Sequence, residues 1–513
     1  MKLLYKLFKQ YYMSTEYLKL SADYPLKPIT SDWMYQIMGN RELLGKLVSK
    51  YGSPVNLHHL DSFNSNVSAY QSVFRKLDLD GQIYFARKAN KCKALVKASL
   101  DYGIGVDTAS FRELDEAIRL GGNGENLVLT AAIKNEALLE LALKNNVPII
   151  IDNQDELELT NNLAQKLGLI GNIGLRLSGF RHAGQKLYSR FGFDIEKDID
   201  LLKDQFLDSA TYHNLCLTGF HFHLDGYSIP QRSEAILQIL HIITLFNGHG
   251  HKIKFLDIGG GILMNYLESK EEWGAFNEGL KKSLVNDKSS ITHNNDGLGY
   301  YLDKDGNVTG KLRTYPYYNE VHKAKFLEEV LSFKDVNKNT IASLINNIGI
   351  QIRIEPGRSL LDQVGLTIAK VIHRKKDSRG DWHVGLEMNM SQLKSSSADF
   401  LLDPFIVPIA EEVSSENEVR LYFTGAYCLE SDVILKRKLT LPYVPAIGDL
   451  VVFVNTAGYM MHFYETEAHL FDLSKNLIVA GSSEHISFED IYPDSHASVH
   501  SISSDELYSL TTE

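Results

Sequence analysis

Residues 82–133, QIYFARKANKCKALVKASLDYGIGVDTASFRELDEAIRLGGNGENLVLTAAI, decide the fold. Three runs rich in β-branched and aromatic residues, QIYFARKAN, GIGVDTAS and NLVLTAAI, are separated by segments whose apolar residues recur at helical spacing. In the second of those segments Leu114, Ala117, Ile118 and Leu120 share one face. Thr108 or Ser110 can cap its start, and Gly121 with Gly122 stops it. Strand and helix in strict turn are the signature of parallel strands joined by crossover helices.

Working outward, VPIIIDN, NIGLRLSGF, LTGFHFHL, IKFLDIGGG and IQIRIEPGR continue the alternation to residue 358 and bring the strand count to eight. Eight β-then-α units predict a closed, TIM-like (β/α)8 barrel rather than an open sheet. More than ninety residues separate Gly261 from Glu355, too many for one helix and its loops. An insertion is therefore expected near 270–345, with a hairpin turning at Asp305-Gly306. The DKDGN run there resembles the start of a calcium loop, but its twelfth position is Thr314 and not Glu.

After about residue 370 strands follow one another without regular helices, which predicts an α/β chain carrying a C-terminal β-domain. The expected division is an N-terminal extension at 1–50, the barrel at 51–368, the β-domain at 369–480 and an acidic tail at 481–513. VNLHHL, near residue 57, precedes the barrel and can join the C-terminal sheet.

At 513 residues, 44% apolar and 23% charged, the chain has the composition of a globular protein of more than one domain. A net charge of −11 argues against nucleic-acid binding. Lys6, Lys9 and Gln10 interrupt the apolar start, and no stretch is long enough to span a bilayer. Cys92, Cys216 and Cys428 are too few and too scattered for a disulfide framework, so the expected location is the cytoplasm.

In such a barrel, chemistry collects where the strands end. Lys88 ends the first strand, Asp107 the second, Arg176 the fifth and His223 the sixth; Gly259, Gly260 and Gly261 end the seventh, and Glu355 with Arg358 the eighth. Glycines after strand seven let bare amides approach an anion, and an arginine after strand eight can pair with its oxygens, which together predict a phosphate site. A lysine on the same rim offers an amine able to form a Schiff base. Phosphate site, lysine and acid together specify pyridoxal phosphate. His221 and His223 share a strand face and could hold a metal with Asp225, Asp107 or Asp152, but that reading leaves the phosphate cradle unexplained, so no metal is expected.

YFARKAN, GVDTASFREL, GLRL, GFHFHLDGYS, FLDIGGG, RIEPGR, GAYCLESD and NTAGYMMHF occur in the order found in the ornithine/diaminopimelate/arginine decarboxylases, the fold-type III, alanine-racemase-like pyridoxal enzymes. The resemblance covers roughly residues 50–475, and SRFGFD at 189–194 is similar to a run in the diaminopimelate decarboxylases. It implies that Lys88 is the Schiff-base lysine, that His223 stacks on the pyridoxal ring and that Glu355 binds its nitrogen. Gly259, Gly260, Gly261, Arg358 and Tyr459 would hold the phosphate, with Asp107 and Arg176 near the lysine and cofactor. Cys428 would enter from the partner of a homodimer and help to protonate the substrate's α-carbon, and Asp432 matches an acidic position at the dimer interface. An acid at the ring nitrogen favours decarboxylation; racemases of this fold generally place a cation there.

Several positions depart from the family pattern. Asp225 and Gly226 stand where the family usually has glycine and serine, which leaves Ser228 as a substitute phosphate ligand. Arg87 replaces an apolar residue and is expected to point away from Lys88 and pair with an acid. Leu429 follows Cys428 where decarboxylases of basic amino acids carry an acid, leaving Glu430 as the candidate reader of the substrate's far end. The expected function is a pyridoxal-phosphate-dependent amino-acid decarboxylase; the alternatives are elimination, racemisation or epimerisation on the same fold, or a non-catalytic regulator.

Overall fold

A computed structural model describes residues 23–208, 211–286, 290–395, 400–409, 419–480 and 487–489. Residues 1–22 of the expected extension, and the acidic tail apart from 487–489, lie outside the described residues. The barrel strands are β1 Gly81–Ala86, β2 Gly105–Thr108, β3 Leu127–Leu129, β4 Ile149–Ile151, β5 Gly171–Ser178, β6 Leu215–His221, β7 Phe255–Asp257 and β8 Gln351–Ile354. Each pairs in parallel with the next, and β8 pairs with β1 to close the ring.

Side chains alternate between the inside of the ring and the surrounding helices. Tyr84, Val128, Ile150 and Phe255 fill the interior, with the Arg353 guanidinium 3.7 Å from the centre of the Phe255 ring. Their neighbours Ile83, Phe85, Leu127, Leu129, Ile149 and Ile151 face outward into the helices. Glycines make room for the interior rings: a Cβ at Gly219 would lie 2.4 Å from Phe255, and one at Gly105 2.4 Å from Tyr84. The helices start on side-chain caps. Ser110 accepts from the Glu113 amide, Asn135 from Leu138 and Asn153 from Glu156. Ser110 and not Thr108 caps the second helix; the Thr108 hydroxyl donates instead to the Val128 carbonyl of the adjacent strand.

The strand Gly365–Lys376 organises the second sheet. It pairs antiparallel with Val55–His59, Leu450–Val454 and Trp382–Leu386. Val55–His59 therefore lies in this sheet before the chain enters the barrel. The helices Asp32–Met38 and Arg41–Tyr51 cover one face of it, burying Trp33, Met34, Ile37, Leu44 and Leu47 against Leu366, Ile368 and Val452. The opposite face, through Ala369, Val371, Val451 and Phe453, packs on Phe276, Leu280, Tyr315 and Tyr317 of the inserted segment.

That segment is shorter than its sequence suggests. Helices Lys323–Leu331 and Ile341–Ile348 bury Phe326, Leu327, Val330 and Ile345 in the barrel core and so belong to the ring of helices. The added part contains the helix Lys270–Val285 and the hairpin Tyr300–Leu302/Val308–Gly310, whose turn Asp303 holds by accepting from the Asp305 and Asn307 amides. No described helix is long and apolar enough to cross a membrane.

Gly219→Ala should push a methyl into the Phe255 ring and cost about 1–3 kcal/mol as an overpacked core. Urea unfolding measures the loss; an unchanged midpoint would mean that the ring shifts freely and the interior is not close-packed.

Candidate active site

Barrel closure brings most of the expected residues to one rim. Backbone pairing of β1 with β2 sets Ala86 beside Asp107, and a single 3-10 turn, Arg87–Ala89, follows β1. Lys88 consequently lies just past the strand end, with Nζ 3.3 Å from Asp107 Oδ2. Asp107 is buried and also accepts from the Thr130 hydroxyl. The Asp107 charge, against the pull of burial, raises the Lys88 amine well above its usual pKa. Arg87 turns the other way, buried, onto Glu116 and the Glu113 carbonyl.

The glycine run follows β7, one strand removed from β1 through β8. Gly259 and Gly261 have φ of +66° and +72°, a backbone region open to glycine at low cost. A Cβ at Gly260 would sit 2.5 Å from the Glu355 carbonyl oxygen, and one at Gly259 2.7 Å from His223 Nδ1. The Gly260 amide donates to His223 Nδ1 at 3.2 Å. Burial, then the positive charge of Lys88, Arg232 and Arg176, holds His223 far below the usual histidine pKa, so its ring is neutral at physiological pH. Arg232, fully buried, donates to the Ile258 and Gly261 carbonyls and thereby pins the run from behind.

Arg358 is buried and, among the described residues, has no carboxylate ion pair. Its guanidinium donates to the Gly458 carbonyl at 3.3 Å and lies 4.5 Å and 5.2 Å from the rings of Tyr315 and Tyr459. Tyr459 has φ +73° and donates its amide to the Ala89 carbonyl, and a Cβ at Gly357 would lie 2.9 Å from its hydroxyl. A strained residue thus links the lysine turn to the arginine. Ser228 caps the helix Ile229–Gly248 by accepting from the Gln231 amide, which leaves its hydroxyl proton free to donate.

Arg176 Nη1 lies 3.5 Å from Asp152 Oδ1, and its guanidinium stacks on Phe191 of the SRFGFD run at 4.3 Å. Glu355 is 2% exposed, with Oε1 3.4 Å from His221 Nε2. Cys428, Leu429 and Glu430 are exposed on the loop after the strand Val419–Thr424. No hydrogen bond or ion pair ties Cys428 or Glu430 to the rim among the described residues. Asp432 turns inward: its carboxylate accepts from the Met390 and Tyr427 amides of its own chain, both at 2.7 Å, and so shapes the loop.

The arrangement fits pyridoxal phosphate. The glycine cradle and a buried arginine free of carboxylates suit a phosphate, and Glu355 Oε1, buried without a protein donor, suits a protonated ring nitrogen. The pyridoxal-binding domain signature of the pyridoxal-dependent decarboxylases matches residues 60–291. An uncharacterised protein of Sinorhizobium fredii is 30% identical over 449 residues, covering 86% of this chain and 91% of that one. The chain belongs to the pyridoxal-dependent decarboxylases. The diaminopimelate decarboxylase of Bacillus methanolicus is 22% identical over 435 residues, 81% of this chain and 86% of that protein. The crystal structure of the Helicobacter pylori diaminopimelate decarboxylase complexed with L-lysine shares the fold, at TM-score 0.63 and 18% identity, covering 87% of this chain and 95% of that one.

Sequence reasoning missed Asp257, Thr130 and Arg232 at this site. Asp257 stands inside the FLDIGGG motif and Thr130 at the end of β3, so strand-end position marked both; Arg232 lies within a helix and carried no such signal.

Asp107→Asn removes the charge that keeps the Lys88 amine protonated, and the neutral amine is the form that attacks an aldehyde. Capture of pyridoxal phosphate by cofactor-free protein should therefore begin at lower pH in the variant than in wild type. Coincident pH profiles, followed by absorbance, would mean that Asp107 does not set the amine's protonation.

Proposed function

We propose that the protein decarboxylates an amino acid, with Lys88 carrying pyridoxal phosphate. The observation that carries this reading is the single rim on which Lys88, the glycine cradle, Arg358 and the buried Glu355 converge. Gly259, Gly260, Gly261, Arg358 and Tyr459 would hold the phosphate, His223 would lie against the ring and Glu355 would face its nitrogen, with Asp107 and Arg176 flanking the lysine. When bound, the cofactor supplies an electron sink for the pair left behind as carbon dioxide departs. Glu355 is an acceptor and not a cation, so it keeps the ring nitrogen protonated and favours decarboxylation over racemisation or epimerisation. Neutral His223 presents an uncharged ring face, and Lys88 is placed to give and take protons on the same side as Asp107.

The reading includes a homodimer with shared active sites, working in the cytoplasm on a small amino acid without nucleic acid or membrane. An exposed Cys428 at the tip of a loop that Asp432 holds from behind supports its entry into a partner's site, where it would protonate the α-carbon. The division into barrel at 51–368 and β-domain at 369–480 is part of the same reading; the parallel ring from Gly81–Ala86 to Gln351–Ile354 supports the barrel, while Val55–His59 and Gly365–Lys376 pair in the second sheet. Glu430, exposed beside Cys428, is the acid available to pair with a cationic end of the substrate; a buried amine without such a partner costs several kcal/mol, on the order of an unpaired buried charge.

Carbon dioxide release screened across amino acids, with mass analysis of the product, tests the activity. Lys88→Ala should abolish it, and a product of unchanged mass would point to racemisation instead. Lys88→Ala and Cys428→Ala should each be impaired alone, and mixing them should restore activity, because one site of each mixed dimer receives both intact residues. Subunits that exchange without recovery would place Cys428 outside the partner's site. Glu430→Gln should lose rate selectively on lysine, ornithine and meso-diaminopimelate; equal rates on these and on a neutral amino acid would remove Glu430 from the site.

A further inference from the structure

Glu355 does not stand alone in the barrel mouth. Asp257 ends β7, and pairing of β7 with β8 sets it beside Arg353, two residues before Glu355. The Asp257 and Glu355 side chains consequently meet inside the ring. His221, at the end of β6, completes a buried group whose three ligating atoms lie within 4.8 Å of one another. Asp257 Oδ2, Glu355 Oε1 and both His221 nitrogens have no hydrogen-bond partner among the described residues. Asp257 Oδ1, by contrast, accepts from the Gly259 amide at 2.9 Å. The charged groups facing this cluster are Lys88, Asp107, Lys134, Arg176 and Arg353.

Burying two carboxylates this close together disfavours ionising both. Building on the cofactor reading above, we propose that Asp257 and Glu355 hold one proton between them, carried on Asp257, and that Asp257 is the positioning residue for both ends of the cofactor. Its Oδ1 fixes the first glycine of the phosphate cradle, and its Oδ2–H donates to Glu355, leaving the rest of that carboxylate to the ring nitrogen. Burial and the Glu355 charge push Asp257 well above the carboxylate range. Burial, then Arg176, keeps His221 neutral, so it brings no charge to replace the proton.

The test compares Asp257→Asn, which keeps an acceptor for Gly259 and a donor for Glu355 yet never ionises, with Asp257→Ala, which keeps neither. Infrared difference spectra of cofactor-free wild type against Asp257→Asn at neutral pH should show a protonated-carboxyl band that shifts on labelling with carbon-13 aspartate. Its absence overturns the proposal. So does stoichiometric zinc uptake by wild type that Asp257→Asn abolishes, which would put a cation where the proton is placed. The sign of the pH dependence is a second check. A carboxyl whose folded pKa is raised destabilises the fold progressively above its unfolded pKa, near 4. Wild type should lose stability relative to Asp257→Asn by up to about tenfold in the folding equilibrium per pH unit from there toward neutrality; parallel curves contradict it. Pyridoxal phosphate affinity should fall by roughly tenfold in Asp257→Ala, one hydrogen bond's worth, and be retained in Asp257→Asn. A wild type that binds no pyridoxal phosphate would refute the cofactor reading while leaving the infrared result to decide the shared proton.

Discussion

Closure of the parallel sheet through the pairing of β8 with β1 is the constraint on which everything else rests. An open sheet of the same strands would leave Lys88 and Glu355 on separate edges. Closed, it sets Lys88 and Asp107 on one rim with the glycine run and forces three polar strand-end residues, His221, Asp257 and Glu355, into a common dry space. The ring interior that permits closure is itself demanding. Tyr84, Phe255 and Arg353 fill it only because Gly105 and Gly219 give up their side chains. Packing at the bottom of the barrel and charge at its mouth are therefore two consequences of one geometry.

The rim is built so that charge is expensive there. Lys88, Asp107, Arg176 and Glu355 are within electrostatic reach of one another, and the burial of Asp107 and Glu355 magnifies the interactions they make. Lys88 is held protonated by Asp107, while His223 and His221 are kept neutral by burial and by the cations around them. Neighbouring groups pushed in opposite directions are the mark of a site made to move protons. The second sheet contributes at the margins of this site: Tyr459 bonds to the Lys88 turn, and Tyr315 of the inserted segment lies against Arg358.

Much of this was legible in the sequence because strand-end chemistry follows strand order. Once eight alternating units are counted, Lys88, Asp107, Arg176, His223, the glycines, Glu355 and Arg358 fall on one rim without further information. Positions whose role depends on packing between distant segments were not legible. The inserted segment reads as a single stretch to residue 345, yet the apolar faces of Lys323–Leu331 and Ile341–Ile348 return to the barrel core, a choice made by tertiary burial and not by local pattern. Ser228 reads as a spare hydroxyl, and its further role as the cap of the helix Ile229–Gly248 emerges only from the fold. Asp432 reads as an interface acid, and the acceptor role it plays for the Met390 and Tyr427 amides carries no local signal. Asp257 reads as part of a glycine motif, and only the pairing of β7 with β8 brings it to Glu355.

The central claim is that this rim holds pyridoxal phosphate on Lys88, and the most direct measurement is borohydride reduction of the pyridoxal-phosphate-treated protein followed by peptide mass analysis. The account predicts visible absorbance that reduction abolishes, with the phosphopyridoxyl mass on the peptide containing Lys88 and none in Lys88→Ala. A protein that stays colourless with added pyridoxal phosphate, or an adduct carried by another lysine, would contradict it.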